Sequence, residues 1–268
     1  MKNIKVGVIG CGAIGSYICQ NIKDISPLEL KVIFDQEEEK AIKLSRCLPE
    51  PVKVLPGEVL IREVDLVIEA ASQEAVKKYI KEALYLGKNV LIMSVGALVD
   101  DLKILEIAKE KNCQIYIPSG AIAGIDGLKS ASVGKIKKVE INTTKSVKSL
   151  IDAPYVIKNK LNLKELTNKT RIFAGTALEA ATSFPKNINV SAVLSLAGIG
   201  FEKTLVNIYA DPETNINTHE ISIEGDFGKI NLKCENLPSP FNPKTSFLAA
   251  LSAVATLKQI VNPLKIGV

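Results

Sequence analysis

Ile4-Lys5-Val6-Gly7-Val8-Ile9, followed directly by Gly10-Cys11-Gly12-Ala13-Ile14-Gly15, decides the fold of this chain. The first six residues form a mostly apolar, β-branched run that predicts a buried strand. The glycines that follow have the spacing G-x-G-x-x-G, and the residues after Gly15 have the apolar spacing of a helix. Strand, glycine loop and helix in this order are the fingerprint of a dinucleotide-binding βαβ unit.

Each glycine of the loop has a separate physical task. Gly10 permits the tight turn out of the strand, Gly12 lets the backbone approach a pyrophosphate, and Gly15 lets the helix pack closely on the strand. The helix that starts at Ala13 and Ile14 offers unpaired N–H groups and a partial positive charge to the phosphates. These residues therefore predict the pyrophosphate site.

A second predicted strand, Leu30–Phe34, ends on Asp35, which follows Gly15 by 20 residues. An acid at this distance accepts hydrogen bonds from the hydroxyls of the adenosine ribose. Its charge would repel a 2′-phosphate, so we expect NAD as the cofactor. Neighbouring lysines could offset that repulsion, and NADP stays open.

The remainder of the first half alternates buried strands with amphipathic helices, which is typical of a Rossmann-type doubly wound parallel sheet. We assign this domain to residues 1–124. Ligands of such sheets bind beyond the carboxyl ends of the strands, where Ala71 and Ser72 follow one strand. Strands are predicted at 52–54, 65–71, 89–93 and 113–117, and helices at 36–48, 73–86 and 100–111.

The pattern changes near Gly124, after which strands alternate polar and apolar residues, as in a sheet with one solvated face. We predict an α+β substrate and dimerisation domain over residues 125–242, with a mainly antiparallel open sheet. Residues 243–268, with a helix from Pro243 to Val261, are expected to return to the first domain. The predicted strands are 137–145, 205–209, 216–224 and 228–234, and the predicted helices 174–183 and 190–197.

Composition excludes several classes of protein. The net charge of +5 comes from scattered lysines among acids, so we expect no nucleic-acid partner. No apolar run is long enough for a membrane span, and Asn3 leads directly into a strand, which leaves no room for a signal peptide. Five cysteines without a C-x-x-C pair, together with a single histidine, predict neither disulfides nor a metal site and favour the cytoplasm. Cys11, inside the glycine loop, is expected to be structural.

The single histidine, His219, is the candidate for the proton transfer that accompanies hydride transfer. It lies on a predicted strand with the parity of Ile221 and Ile223, so we expect it to face inward. Two roles stay open at this point. It is either a satisfied core histidine or a general acid/base with a pKa close to neutrality.

Two proline-containing segments are candidates for binding substrate carboxylates. Phe184–Asn189 precedes a helix, and Asn242–Ser246 is predicted to open the last helix. Each segment could place an ammonium or amide group at a helix N-terminus, and Lys186, Lys244 and Thr245 are the candidate substrate-binding residues. The alternative is ordinary capping by Asn189 or Asn242, with solvated lysines.

These residues together resemble the archaeal-type L-aspartate dehydrogenases over nearly the whole chain. The resemblance implies NAD(P)-dependent conversion of L-aspartate, through iminoaspartate, to oxaloacetate and ammonia. It also implies a homodimer and a role in making NAD, with iminoaspartate passing to quinolinate synthase. It places His219 at the active site, and Ala123 and Asn189 at the nicotinamide cofactor. The segments that carry it are 10–15, 118–124, 184–190, 217–221 and 242–246.

Two other functions compete with this one. Dihydrodipicolinate reductases share a Pro-Ser-Gly segment like Pro118–Gly120, but they use paired histidines, and this chain has one. A non-catalytic NAD-sensing protein would keep Gly10–Gly15 and Asp35 and would have no need of His219. Binding of NAD without any amino-acid-dependent reduction would favour the sensor.

Overall fold

The fold is described from a computed structural model that covers residues 3–185, 188–240 and 242–267, with only the backbone of 243 and 244. The chain divides into two compact units. The first unit comprises Met1–Gly120 and Ala249–Lys265, and the second comprises Ala121–Leu248 and Ile266–Val268.

The first unit is built on a six-stranded parallel sheet, and the prediction of a Rossmann-type fold is confirmed. The strand order is β3-β2-β1-β4-β5-β6, the order of the dinucleotide-binding fold. Every pairing in this sheet is parallel. The strands are β1 (Ile4–Ile9), β2 (Leu28–Phe34), β3 (Lys53–Val54), β4 (Leu66–Glu69), β5 (Asn89–Ile92) and β6 (Ile115–Tyr116).

Helices connect these strands because parallel strands require crossover connections. A π-helical stretch, Val76–Ile80, joins α4 to α5, and a 3₁₀ helix, Val95–Val99, follows β5. The helices of this region are α1 (Ala13–Ile22), α2 (Glu38–Cys47), α3 (Gly57–Glu63), α4 (Gln73–Ala75), α5 (Lys81–Tyr85) and α6 (Lys103–Glu110).

The core of the first unit fills the space between sheet and helices. Val6, Val8 and Ile33 from the strands are essentially inaccessible to solvent, as is Ile18 from α1. The sequences of such strands are almost entirely apolar because both faces of a parallel sheet are covered by helices. Part of the C-terminal helix also enters this core, through its buried residues Ala253, Val254 and Leu257.

The second unit is built on a five-stranded sheet of order β11-β10-β7-β9-β8. Only the β7–β9 pair is parallel, so the prediction of a mainly antiparallel sheet is confirmed. The strands are β7 (Ile136–Ser146), β8 (Thr170–Thr176), β9 (Leu205–Asp211), β10 (Asn217–Gly225) and β11 (Gly228–Asn236), with a small hairpin of β12 (Pro238–Ser239) and β13 (Asn242–Ser246).

The helices of the second unit are short, and one face of the sheet packs against them. A Cβ placed on Gly127 would lie 3.5 Å from Cδ1 of Ile230 on β11, so the first of these helices rests on the sheet. The helices are α7 (Ile125–Ala131), α8 (Val147–Leu150), α9 (Pro154–Lys158), α10 (Ala177–Ser183) and α11 (Asn189–Ala197), with a 3₁₀ turn at Leu163–Glu165. The last helix, α12 (Phe247–Val261), belongs to the first unit from Ala249 onward.

Two predicted helices begin later than expected. The segment predicted as a helix from Ala174 is still strand β8 through Thr176, and α10 starts only after a capping box between Thr176 and Glu179. The last helix starts at Phe247 instead of Pro243. The five residues before it form strand β13, which pairs with the neighbouring strand β12 in a short hairpin, and this pairing overrides the preference of proline for a first helical turn.

Within the described ranges, no helix combines the length and the apolar character that crossing a bilayer requires. The residues in those ranges also contain no cluster of histidine, cysteine, aspartate and glutamate side chains that could hold a metal ion.

Candidate functional site

The glycine loop between β1 and α1 has the geometry that phosphate binding requires. Gly10 has φ of 101°, and a Cβ there would lie 2.6 Å from the Ala70 carbonyl oxygen. A Cβ on Gly15 would lie 1.8 Å from the Gly10 carbonyl oxygen, so only glycine permits this packing. A Cβ on Gly12 would meet nothing within 4 Å. Space therefore remains above Gly12 for a group that approaches the backbone.

The start of α1 faces this loop, with Gly12 as its N-cap residue and no side-chain cap. The first N–H groups of a helix have no partner inside the helix, so those of Ala13, Ile14 and Gly15 are available to an anion. The loop thus fits the pyrophosphate of a dinucleotide on its own geometry.

Asp35 lies at the carboxyl end of β2 and binds the backbone of the glycine loop. Its Oδ2 accepts a hydrogen bond from the Cys11 N–H at 2.7 Å, and its Oδ1 accepts one from the Glu37 N–H at 2.9 Å. Both oxygens keep lone pairs for further donors. The acid is thereby oriented beside the loop, as a ribose-binding residue requires.

One cavity of about 600 Å³ joins several predicted cofactor residues. Gly10, Gly12, Asp35, Ala71 and Ser72 line it. The structure therefore brings together the predicted residues from the ends of β1, β2 and β4.

Two lysines, Lys40 and Lys78, also line this cavity. Each is already paired with an acid: Lys40 with Glu37 at 2.6 Å, and Lys78 with Glu58 at 2.8 Å. Their charge is therefore largely balanced by neighbouring carboxylates, which bears on the choice between NAD and NADP.

Cys11 is not a nucleophile. Its side chain is buried, with Sγ 3.7 Å from the Phe34 carbonyl oxygen, and burial together with the charge of Asp35 raises the pKa of the thiol to about 12. A thiol with so high a pKa is inert at neutral pH.

His219 lies on β10 in the second unit, and its predicted inward orientation is confirmed. Its side chain is 2% exposed and shares a buried face with Ile221 and Ile223. Nδ1 lies 3.0 Å from Oγ1 of Thr143, its cross-strand neighbour on β7. This hydrogen bond fixes the ring and leaves Nε2 as the nitrogen for other partners.

The environment of His219 strongly disfavours the imidazolium form. Burial, and secondarily the charge of Lys145, lowers its pKa from 6.5 to about 3. Of the two roles left open by the sequence, the one with a pKa close to neutrality does not match this lowered pKa. At neutral pH His219 is a neutral base, because the low-polarity surroundings and the nearby cation both oppose its protonation.

Lys145 was not identified from the sequence. It lies two residues after Thr143 on β7, so its side chain leaves the same face of the sheet as Thr143 and His219. Burial lowers the pKa of its ammonium group to about 8. The signal that could have identified it is the strand parity of Thr143 and Lys145, which requires knowledge of the register with β10.

The loop that contains Ala123 packs against β11, the strand that pairs with β10, on which His219 lies. The side chain of Asn236 donates to the Ala121 carbonyl oxygen at 2.9 Å, and a Cβ on Gly124 would lie only 2.1 Å from Cδ1 of Leu232. These two contacts lie on either side of Cys234, which is the cross-strand partner of His219 on β11.

The remaining candidate substrate and cofactor residues lie in the sequence at or just before the first residues of α11 and α12. Asn189 is the first residue of α11, after the N-cap Ile188, whose side chain lines a small cavity with Thr143. Lys186 lies outside the described residues, as does the side chain of Lys244. Thr245 lies on strand β13, two residues before α12 begins, so it precedes the last helix and does not open it, and the same holds for the backbone of Lys244.

Two known families match successive parts of the chain. Residues 126–260 match the family described as "Aspartate dehydrogenase, C-terminal". Residues 10–118 match the family described as "Homoserine dehydrogenase, NAD binding domain". The second match and the glycine-loop geometry together identify a pyridine nucleotide as the cofactor class.

Curated relatives match over nearly their full length. The chain is 50% identical to the L-aspartate dehydrogenase of Methanosarcina acetivorans, over 98% of this chain and 99% of that protein. It is 42% identical to the L-aspartate dehydrogenase of Nitrosopumilus maritimus, over 95% of this chain and 96% of that protein.

Solved structures agree. The crystal structure of aspartate dehydrogenase from Thermotoga maritima superposes with a TM-score of 0.76 at 29% identity, over 99% of this chain and all of that one. A homoserine dehydrogenase from Thiobacillus denitrificans, at 14% identity and a TM-score of 0.63, shares the fold. On this evidence the chain belongs to the L-aspartate dehydrogenase family.

Proposed function

We propose that this protein oxidises L-aspartate with a pyridine nucleotide and water, giving oxaloacetate, ammonium and the reduced cofactor. The observation that carries the proposal is the buried His219, hydrogen-bonded to Thr143, in a chain 50% identical to a protein named L-aspartate dehydrogenase. The glycine loop and Asp35 supply the dinucleotide half of the reaction.

NAD is the proposed cofactor in preference to NADP. Asp35 is held at the rim of the 600 Å³ cavity by the N–H groups of Cys11 and Glu37, where its charge would face a 2′-phosphate. The lysines that could offset this charge, Lys40 and Lys78, are paired with acids. A site that binds NADP usually offers an arginine at this position.

When bound, the nicotinamide ring accepts a hydride from the substrate Cα. The ammonium group of the substrate must also lose a proton before the C=N bond can form. Neutral His219 is the proposed acceptor, because its ring is unprotonated at neutral pH and the carboxylates of a bound substrate would raise its lowered pKa toward the value that proton transfer needs. In the proposed tautomer Nδ1–H donates to Thr143 Oγ1, 3.0 Å away, and the lone pair of Nε2 is available for that proton.

Water then adds to the iminium carbon, and departure of ammonia gives the keto acid. Once the first proton has passed to solvent, His219 is the proposed group that orients this water, receives its proton and returns it to the departing amine. The charge of Lys145, close enough to His219 to depress its pKa, favours a substrate that carries two carboxylates. Lys186, Lys244 and Thr245 remain proposals for further carboxylate contacts, and Ala123 and Asn189 for contacts with the nicotinamide half of the cofactor.

We also propose the biological setting that the family resemblance implies. The protein acts as a homodimer in the cytoplasm, and its intermediate iminoaspartate passes to quinolinate synthase for NAD biosynthesis.

The proposed substrate is tested by following NADH formation at 340 nm with a panel of L-amino acids and 2-hydroxy acids. We expect reduction with L-aspartate and at least tenfold lower kcat/KM with L-glutamate, L-asparagine and L-malate. Reduction with a different substrate would retain the cofactor and reject aspartate. Binding of NADH without reduction by any compound would favour a sensor.

A further inference from the structure

The most deeply buried acid of the first unit, Glu69, has no role in the reaction described above. It is the last residue of β4, between β1 and β5, and its exposed fraction is 0%. Burying a carboxylate in a protein core is unfavourable unless hydrogen bonds replace its water. An acid at this position therefore calls for a physical explanation.

The carboxylate of Glu69 accepts hydrogen bonds from two loops. Oε1 accepts from the Ala71 N–H at 2.8 Å and from Oγ of Ser94 at 2.9 Å, and Oε2 accepts from the Ser94 N–H at 2.9 Å. The Ser72 N–H is a further donor. Burial raises the pKa of this carboxyl above its ordinary value, while these hydrogen bonds act in the opposite direction.

The two loops are the ones that follow β4 and β5. Ala71 and Ser72 line the cofactor cavity, and Ser72 also caps α4 by accepting from the Ala75 N–H at 3.3 Å. Ser94 is the N-cap residue of the 3₁₀ helix after β5. One side chain thus fixes the relative position of two strand ends in the half of the sheet that binds the nicotinamide mononucleotide.

The contacts continue to the glycine loop. Gly10 approaches so closely that a Cβ there would lie 2.6 Å from the Ala70 carbonyl oxygen and 2.8 Å from Cβ of Ala71. The Ala70 N–H donates to the Ile9 carbonyl oxygen at 2.8 Å. A shift of the Ala70–Ser72 segment would therefore displace the backbone beside the predicted pyrophosphate site.

We propose that Glu69 is a positioning residue for the dinucleotide, which holds the loops after β4 and β5 in the conformation that receives the cofactor. The inference rests on the proposed function only for its cofactor. Glu69 touches neither substrate nor cofactor in this account, because its side chain is inaccessible to both and acts through Ala71, Ser72 and Ser94.

The test measures the NADH Kd of Glu69→Gln and of wild type by following NADH fluorescence as NADH and protein are mixed. The chain contains no tryptophan, so no energy transfer from tryptophan contributes to this signal. Glutamine keeps the shape but places an amide N–H₂ against an N–H donor, so at least one of these hydrogen bonds is lost. We expect the Kd for NADH and the KM for NAD to rise at least tenfold, with kcat at saturating cofactor within threefold of wild type.

Two further variants complete the comparison. Ser94→Ala removes only the hydroxyl donor, and we expect a rise of about threefold in the NADH Kd, which keeps the inference testable if Glu69→Gln does not fold. Glu82→Gln changes a partly exposed acid of α5 that pairs with Arg62, and should leave the NADH Kd within twofold of wild type.

A purely structural role gives a different pattern. It would lower the unfolding temperature of Glu69→Gln and leave the NADH Kd of the folded protein unchanged, and that result would overturn the inference, as would an unchanged Kd in Ser94→Ala. Failure of the proposed function can be distinguished from failure of this inference. If the wild-type protein binds NADH but does not oxidise L-aspartate, the NADH Kd values of wild type and variants can still be compared.

Discussion

Because the chain has a single histidine, the pH dependence of its free energy of unfolding tests the environment of His219 directly. His219 has a pKa of about 3 in the folded protein, against about 6.5 for an unperturbed histidine. When the pH falls below 6.5, the unfolded chain binds a proton at this residue and the folded chain does not. Stability is therefore lost as the pH falls, by linkage between protonation and folding.

The size of the effect follows from the two pKa values. Between pH 8 and pH 5, the unfolded histidine becomes almost fully protonated while the folded one stays neutral. The free energy of unfolding falls by about 2 kcal/mol from this residue, at roughly 1.4 kcal/mol for each pH unit well below 6.5. Other groups titrate over this range as well, so the comparison requires a variant without the imidazole.

The assay is urea-induced unfolding at pH 8 and pH 5, followed by far-UV circular dichroism, for wild type and His219→Gln. Because the chain has one histidine, every other titrating group is common to both proteins. We expect wild type to lose about 2 kcal/mol more than the variant between the two pH values. Equal losses would refute the claim that His219 is held neutral in the fold.

Three further predictions concern other positions. Asp35→Ser should reduce the preference for NAD over NADP, expressed as the ratio of the two kcat/KM values, by at least about tenfold, because the charge that repels a 2′-phosphate is removed. Steady-state kinetics with both cofactors measures this ratio, and an unchanged ratio would contradict the prediction. Lys145→Met should raise the pKa of His219 by removing the nearby cation, yet leave it below 6.5 because burial is the larger cause. The pKa is read from the ¹H–¹³C signal of the ring as a function of pH, and a titration midpoint equal to that of wild type would contradict the prediction. Phe184→Ala should destabilise the second unit by about 3–5 kcal/mol, since this ring is 1% exposed and packs on two other aromatic rings; urea midpoints within error of wild type would argue against that packing.

The fold of the first unit could be predicted because its signals are local. The apolar run of β1, the glycine spacing and Asp35 lie within a few tens of residues and interact with one another. The inward orientation of His219 was predictable for the same reason, since strand parity with Ile221 is a property of neighbouring residues.

The features that the sequence did not reveal depend on contacts between distant segments. Thr143 meets His219 only through the register of β7 and β10, and the same register places Lys145 on that face. The start of the last helix was misplaced for a different reason, because residues 242–246 form a short hairpin with the adjacent strand β12. Glu69 looked like one more residue of an apolar strand, and its role depends on the backbone of Ser94, which belongs to the next strand connection.

The most direct test of the central claim measures L-aspartate-dependent NADH formation in wild type and His219→Ala, with the NADH Kd determined for both. Loss of a general base typically costs about 10²–10⁴-fold in rate. We predict a fall in kcat of at least about 100-fold, with the NADH Kd within threefold of wild type. A variant that keeps most of its turnover, with cofactor binding unchanged, would contradict the assignment of the proton transfer to His219.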